Sequence, residues 1–133
     1  MDGLTEMGMR IITELMEDWE NIPTIANTVT LRTGEDTERT EIKEALETLV
    51  QSDLVRIALP PSGGGASQEL SKSDSLAVVA ALEKHLRFDT STGYWAGGAA
   101  PLPEVSLSDA GFEKAGSVLD ERKERWWWPP NWQ

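Results

Sequence analysis

The sequence predicts a mainly α domain carrying one small antiparallel β-hairpin, an α+β arrangement. Three observations lead there. Apolar residues recur at helical spacing in successive stretches, cleanest at Ile42, Ala45, Leu46, Leu49 and Val50. Two β-type runs, 54–59 and 105–107, stand far apart in the chain, each next to a helical pattern. The chain has 133 residues and no cysteine, so one domain must be held by its apolar core without disulfides.

The elements follow in order. Leu4, Met7, Ile11, Leu15 and Trp19 share one helical face, widened by Ile12 and Met16, and predict a helix over 4–18. Pro23 interrupts it and opens a short second helix over 23–30, with Ile25, Ala26 and Val29 inward. Thr33-Gly34 makes a turn. Asp36 or Thr37 then caps a third helix that ends at Ser52-Asp53. The run 54–59 is a strand. Residues 60–74 carry Pro60-Pro61 and Gly63-Gly64-Gly65 and read as a loop. Ser73 or Asp74 caps a fourth helix over 75–87. Residues 89–103 are turn-rich, with a short strand at Tyr94-Trp95. Val105-Ser106-Leu107 is a strand, and Ser108 caps a last helix whose inward side is Phe112, Ala115, Leu119 and Trp126.

Charge and composition restrict function. The chain holds 23 acids and 12 bases, a formal charge of −11. Residues 1–66 carry 13 acids against 5 bases, which counts against simple phosphate binding. Without cysteine there is no thiolate zinc site and no cysteine nucleophile. His85 is the only histidine, and its neighbours Lys84 and Arg87 suggest a surface position at a helix end. No EF-hand spacing occurs, and the carboxylates are too generic to indicate acid–base chemistry. Gly63-Gly64-Gly65 lacks the Lys-Ser/Thr of a phosphate loop and reads as a linker. The expectation is a non-enzyme with no cofactor and no metal. Asp2 and Glu6 stand where a signal peptide would be basic, and the longest apolar run, 76–82, is too short to span a bilayer. A cytoplasmic location away from membranes is expected.

Two segments carry a resemblance. Residues 44–55, Glu-Ala-Leu-Glu-Thr-Leu-Val-Gln-Ser-Asp-Leu-Val, resemble a recognition helix running into the first wing strand of winged helix-turn-helix proteins. Residues 105–111, Val-Ser-Leu-Ser-Asp-Ala-Gly, resemble the second wing strand and the start of the last helix. MarR-like and PadR-like bacterial regulators and small phage-encoded winged-helix proteins share this pair. The likeness covers about 1–59 and 104–120. It implies a single winged-helix domain over 1–126, with a long, partly helical insertion at 60–103 between the wing strands, and a Trp/Pro-rich tail at 127–133.

Two functional expectations follow. In the first, the chain is a transcription-regulator-like DNA binder, as a possible homodimer, using the third helix and wing. Its candidate contacts are Arg32, Thr37, Arg39, Thr40, Lys43 and Lys72, with Arg39 and Lys43 on one helix face. In the second, it is an acidic protein-interaction module, phage- or mobile-element-encoded and imitating nucleic acid. The third helix favours this, since Glu38, Glu41, Glu44 and Glu47 outnumber Arg39 and Lys43. Four of the six tryptophans lie in the last eight residues. Clustered aromatics mark interfaces, so Tyr94, Trp95, Trp126, Trp127, Trp128 and Trp132 are candidates for a partner or dimer contact, the alternative being that the tail folds back on its own core.

Overall fold

The computed structural model describes residues 4–61, 65–98 and 101–132. It is a mixed α+β fold with two small antiparallel sheets. Helix α1 (Glu6–Glu14) begins at Thr5, whose hydroxyl accepts from the Gly8 amide at 3.0 Å. Met7, Ile11, Ile12 and Leu15 form its buried face. The helix is shorter than the predicted 4–18, because Leu15 caps it and a turn follows. That turn rotates Trp19 out of the apolar stripe, and 54% of it is exposed.

Strand β1 (Glu20–Asn21) leads into α2 (Ile22–Val29). The Asn21 carboxamide accepts from the Thr24 amide at 2.9 Å, so Asn21 and not Pro23 starts this helix. Helix α3 (Asp36–Gln51) buries the predicted stripe of Ile42, Ala45, Leu46, Leu49 and Val50. Its N-cap is Glu35, which makes no side-chain cap bond. The preceding turn is held instead by Glu38, whose carboxylate accepts from the amides of Thr33 (3.1 Å) and Gly34 (3.2 Å).

Strand β2 (Val55–Leu59) pairs antiparallel with β6 (Glu104–Leu107), placing Val55 opposite Leu107 and Ile57 opposite Val105. β1 joins the free side of β6, and a two-residue strand, β3 (Gln68–Glu69), joins β2. The sheet order is β1-β6-β2-β3. The predicted hairpin is therefore the middle of a four-stranded sheet.

The segment between β2 and β6 has its own structure. Helix α4 (Lys72–Ala80) is capped by Ser71, earlier than the predicted Ser73 or Asp74, through a 3.0 Å bond from the Asp74 amide. It stops at Ala80, and a 3-10 turn (Leu82–Lys84) replaces the rest of the predicted 75–87 helix. Strands β4 (Arg87–Asp89) and β5 (Tyr94–Ala96) form a hairpin, whose turn Gly93 closes at φ +77. The linker residues Gly63 and Gly64 lie outside the described residues.

Helix α5 (Asp109–Glu121) starts at Ser108, as predicted, with the hydroxyl accepting from the Gly111 amide at 3.0 Å and donating to the Asp53 carbonyl at 2.6 Å. A Cβ on Gly111 would run into the Leu54 carbonyl, so only glycine permits this approach. That contact sets the face of the helix. Gly111, Ala115 and Val118 turn inward, while Phe112, predicted to be core, is 46% exposed. Helix α5 packs on α1, and α4 packs on α3.

Candidate interaction surfaces

The outward side of α3 is acidic. Thr37, Thr40, Glu41, Glu44, Glu47 and Gln51 are exposed, and their spacing puts Thr40, Glu44, Glu47 and Gln51 opposite the buried stripe. No base lies among them. Arg39 and Lys43 fall on the flank that faces α4, and both are partly buried. Arg39 pairs with Asp36 at 3.1 Å and donates to the Leu86 carbonyl at 3.3 Å. Lys43 forms no ion pair among the described residues.

The other predicted DNA contacts are dispersed. Lys72, at the start of α4, pairs with Asp53 at 3.0 Å and donates to the Gln51 carbonyl at 3.2 Å. It thus satisfies a carbonyl that the end of α3 leaves without an intrahelical partner. With Lys72 at one end of α3 and Leu86 at the other, α4 and the turn after it run antiparallel along the α3 flank. Arg32 has φ 57 and lies between two rings, with Cζ 4.7 Å from the centroids of both Tyr94 and Trp132. Thr37 donates weakly to Glu35 at 3.5 Å. The structure therefore does not gather the six residues into one basic surface.

The aromatic residues also divide. Trp95 is 3% exposed and belongs to the core, which removes it from any partner contact. Its ring meets Phe88 edge-on at 5.3 Å, and its indole donates to Glu38 at 3.2 Å. Its backbone is bonded twice to the Asn27 carboxamide, at 2.7 and 2.9 Å. Trp95 is therefore what fastens the β4–β5 hairpin to α2, through Asn27, and to the first turn of α3, through Glu38. Asn27 and Glu38, the receiving side of this contact, carry no sequence signal beyond ordinary polar helix residues. Tyr94 remains 48% exposed beside Arg32.

Residues 122–132 lie back over α1 and α2 as a strap. The indoles of Trp127 and Trp128 both donate to the Thr28 carbonyl at 2.9 Å, and Arg10 donates to the Val29 carbonyl at 3.1 Å. The last turn of α2 is thereby capped by side chains from elsewhere. Trp126 donates to Glu6 at 2.7 Å, and Arg122 reaches the same carboxylate at 2.5 Å. Rings and guanidinium groups alternate along the strap: Arg122 over Trp126, Arg10 over Trp127, Arg125 over Trp128. Trp132 continues the series to Arg32 and Tyr94. Of the two expectations for the tail, a partner contact or folding back on its own core, the second describes these contacts, since indole N–H groups need acceptors and α2 offers free carbonyls. Gln133 lies outside the described residues.

One acidic cluster is perturbed under the strap. Arg125 holds Glu14, 4% exposed, at 2.7 Å, and Glu17 at 3.4 Å. The Glu14 hydrogen bond raises the Arg125 pKa further. Glu20 lies in the same field, with one buried carboxylate oxygen that has no hydrogen-bond partner among the described residues. Burial first, then repulsion from Glu14 and Glu17, pushes its pKa up to about 7. Burial, and then Lys84, lowers the pKa of His85, which is half-buried and not the surface group expected.

Among the described residues no group of three His, Asp or Glu side chains could hold a metal ion, and no helix is long and apolar enough to cross a membrane. Compared with known proteins, the chain matches no family model, no curated sequence and no solved structure.

Proposed function

We propose that this chain is a non-catalytic, winged-helix-type binding module that docks a basic protein partner through the outward face of α3. The element order supports the winged-helix reading: three helices, with β1 between the first and second, then β2 and β6 as the wing and α5 after it. The sheet order β1-β6-β2 agrees, with residues 60–103 as an insertion in the wing.

The observation that carries the partner's chemistry is the sorting of charge on α3. Glu41, Glu44 and Glu47 face outward and form no ion pair among the described residues, with Lys43 on the flank beside them, while Arg39 is turned to Asp36 and the Leu86 carbonyl. A duplex presents about one negative charge per 1.7 Å of its axis, so this face repels it. The flank adds a steric argument. A helix is about 10–12 Å across with its side chains and neighbours pack 8–10 Å apart, so α3 and α4 side by side span about 20 Å. The major groove is about 12 Å wide.

The test has two arms. In a gel shift with random duplex DNA at low and moderate salt, no complex is expected. A shift that R39A/K43A abolishes would establish the DNA reading instead. In the second arm the protein is passed over immobilised polylysine, with E41Q/E44Q/E47Q compared against the equal charge change E113Q/D120N/E121Q on α5. The α3 variant should elute at clearly lower salt than the α5 variant. Equal elution would refute α3 as the docking face.

A further inference from the structure

A polar crevice of about 340 Å³ opens where the end of α3, strands β2 and β3 and the start of α4 meet. That volume is at the small end of ligand sites. Ser108, the cap of α5, also lines it, so two helices begin at its wall, and their N-terminal ends favour a negative group.

Two polar residues that line this crevice make no side-chain hydrogen bond among the described residues. Ser75 is only 3% exposed and lines the crevice, yet among the described residues its hydroxyl has no hydrogen-bond partner. Its oxygen is not sealed in the core, since the fully buried unpartnered side-chain atoms among the described residues are Glu20 Oε2 and His85 Nδ1, and so it opens onto the crevice. Arg56 approaches Glu69 only to 3.7 Å and makes no hydrogen bond among the described residues, leaving the donors of a planar fork free. Lys72, by contrast, is occupied by Asp53 and the Gln51 carbonyl.

We infer that this crevice binds a small zwitterion with neighbouring carboxylate and ammonium groups, a free aliphatic α-amino acid. The ligand carboxylate accepts from the Arg56 guanidinium and the Ser75 hydroxyl, a geometry that suits a planar two-oxygen group. The ammonium donates to Glu69, which Arg56 holds only loosely. The ligand thus replaces one long ion contact with two short ones. Val50, Val55 and Leu70, which also line the crevice, receive an aliphatic side chain. Inorganic phosphate fits less well: its second charge meets Asp53 and Glu69, and it has no ammonium to offset them.

Isothermal titration calorimetry on the full chain tests this. L-leucine is compared with 4-methylpentanoate, which lacks the ammonium, with 3-methylbutylamine, which lacks the carboxylate, and with phosphate. Leucine, or another aliphatic amino acid in a panel of the standard set, should bind. Each stripped analogue should bind at least about tenfold more weakly, the loss of one charge-assisted hydrogen bond. R56Q and S75A should each weaken leucine by a similar factor, with unliganded melting curves confirming that both variants fold. Three results would overturn the inference: no binding by any amino acid, phosphate binding as tightly as leucine, or leucine affinity unchanged in both variants.

Discussion

Trp95→Ala should be the most damaging single truncation in the segment between β2 and β6. The wild-type ring is 3% exposed, packs edge-on against Phe88 at 5.3 Å and donates to Glu38 at 3.2 Å. Removing a buried tryptophan costs about 3–5 kcal/mol in lost transfer energy and residual cavity. The two bonds to Asn27 are made by the Trp95 backbone and survive. We therefore expect about 4 kcal/mol, a large share of a typical 5–15 kcal/mol total. Trp95→Phe keeps most of the ring but loses the indole N–H. Glu38 still accepts from Thr33 and Gly34 and is partly open to water, so this change should cost only about 1 kcal/mol. Equilibrium urea unfolding followed by circular dichroism gives both numbers. Hydrogen exchange at Thr33 and Gly34 should quicken in the alanine variant, because the Glu38 carboxylate loses the contact that orients it. A cost below about 1 kcal/mol for Trp95→Ala, or equal costs for the two variants, would refute the idea that this ring fastens the hairpin.

Three further outcomes follow from other contacts. Gly111→Ala places a Cβ against the Leu54 carbonyl and should destabilise by about 2 kcal/mol in urea, although alanine is the better helix former. Arg125→Met strands the buried Glu14 carboxylate and should cost about 3 kcal/mol at neutral pH, with Glu14→Gln in the same chain recovering most of the loss. Glu20 is protonated more readily in the folded chain, at about 7, than at its ordinary 4.5. Its contribution is therefore fully present below 4.5 and is lost as pH rises through about 7. Glu20→Gln should flatten that part of the urea-midpoint profile, and an unchanged profile would assign the dependence elsewhere.

The helices were legible where one face is apolar and the other is not, as in the α3 stripe from Ile42 to Val50. The caps Thr5, Asn21, Ser71 and Ser108 follow the usual preference, but only Ser108 was identifiable in advance. Several Ser, Thr and Asp residues lie within a turn of each helix start, and the choice among them depends on tertiary contact. Phe112 shows why a stripe alone misleads. The close approach of Gly111 to Leu54 shifts the buried face of α5 from Phe112 and Leu119 toward Gly111 and Val118, with Ala115 common to both, and no periodicity within the helix encodes a carbonyl fifty-seven residues earlier. Strands β1, β3 and β4 hold two or three residues each, too few for an alternating pattern to be read. The candidate site was half legible. The acid excess on α3 is plain in the sequence, but that Arg39 turns aside to Leu86 depends on where α4 packs. The tail's composition was equally plain, and its destination on the Thr28 carbonyl was not.

The fate of the arginines links these observations. Arg10, Arg32, Arg122 and Arg125 are all taken up by rings or carboxylates along the strap. Arg39 and Lys72 tie α3 to the segment beside it. A guanidinium stacked on an indole keeps its charge, but the charge is held near the rings and neighbouring acids and adds little field at a distance. At physiological salt only groups within about 8 Å of a point contribute much to its potential. Within that range the outward face of α3 has its own glutamates, while the nearest bases, Arg39 and Lys43, lie on the flank and Arg39 is already paired with Asp36. The local field at α3 should therefore be negative for the same reason that the overall charge is. A basic partner would be steered to this face with a rate that falls as salt rises. Restoring a positive face would take more than adding bases to α3: Arg39 would also have to be freed from Leu86, and so the segment after α4 displaced.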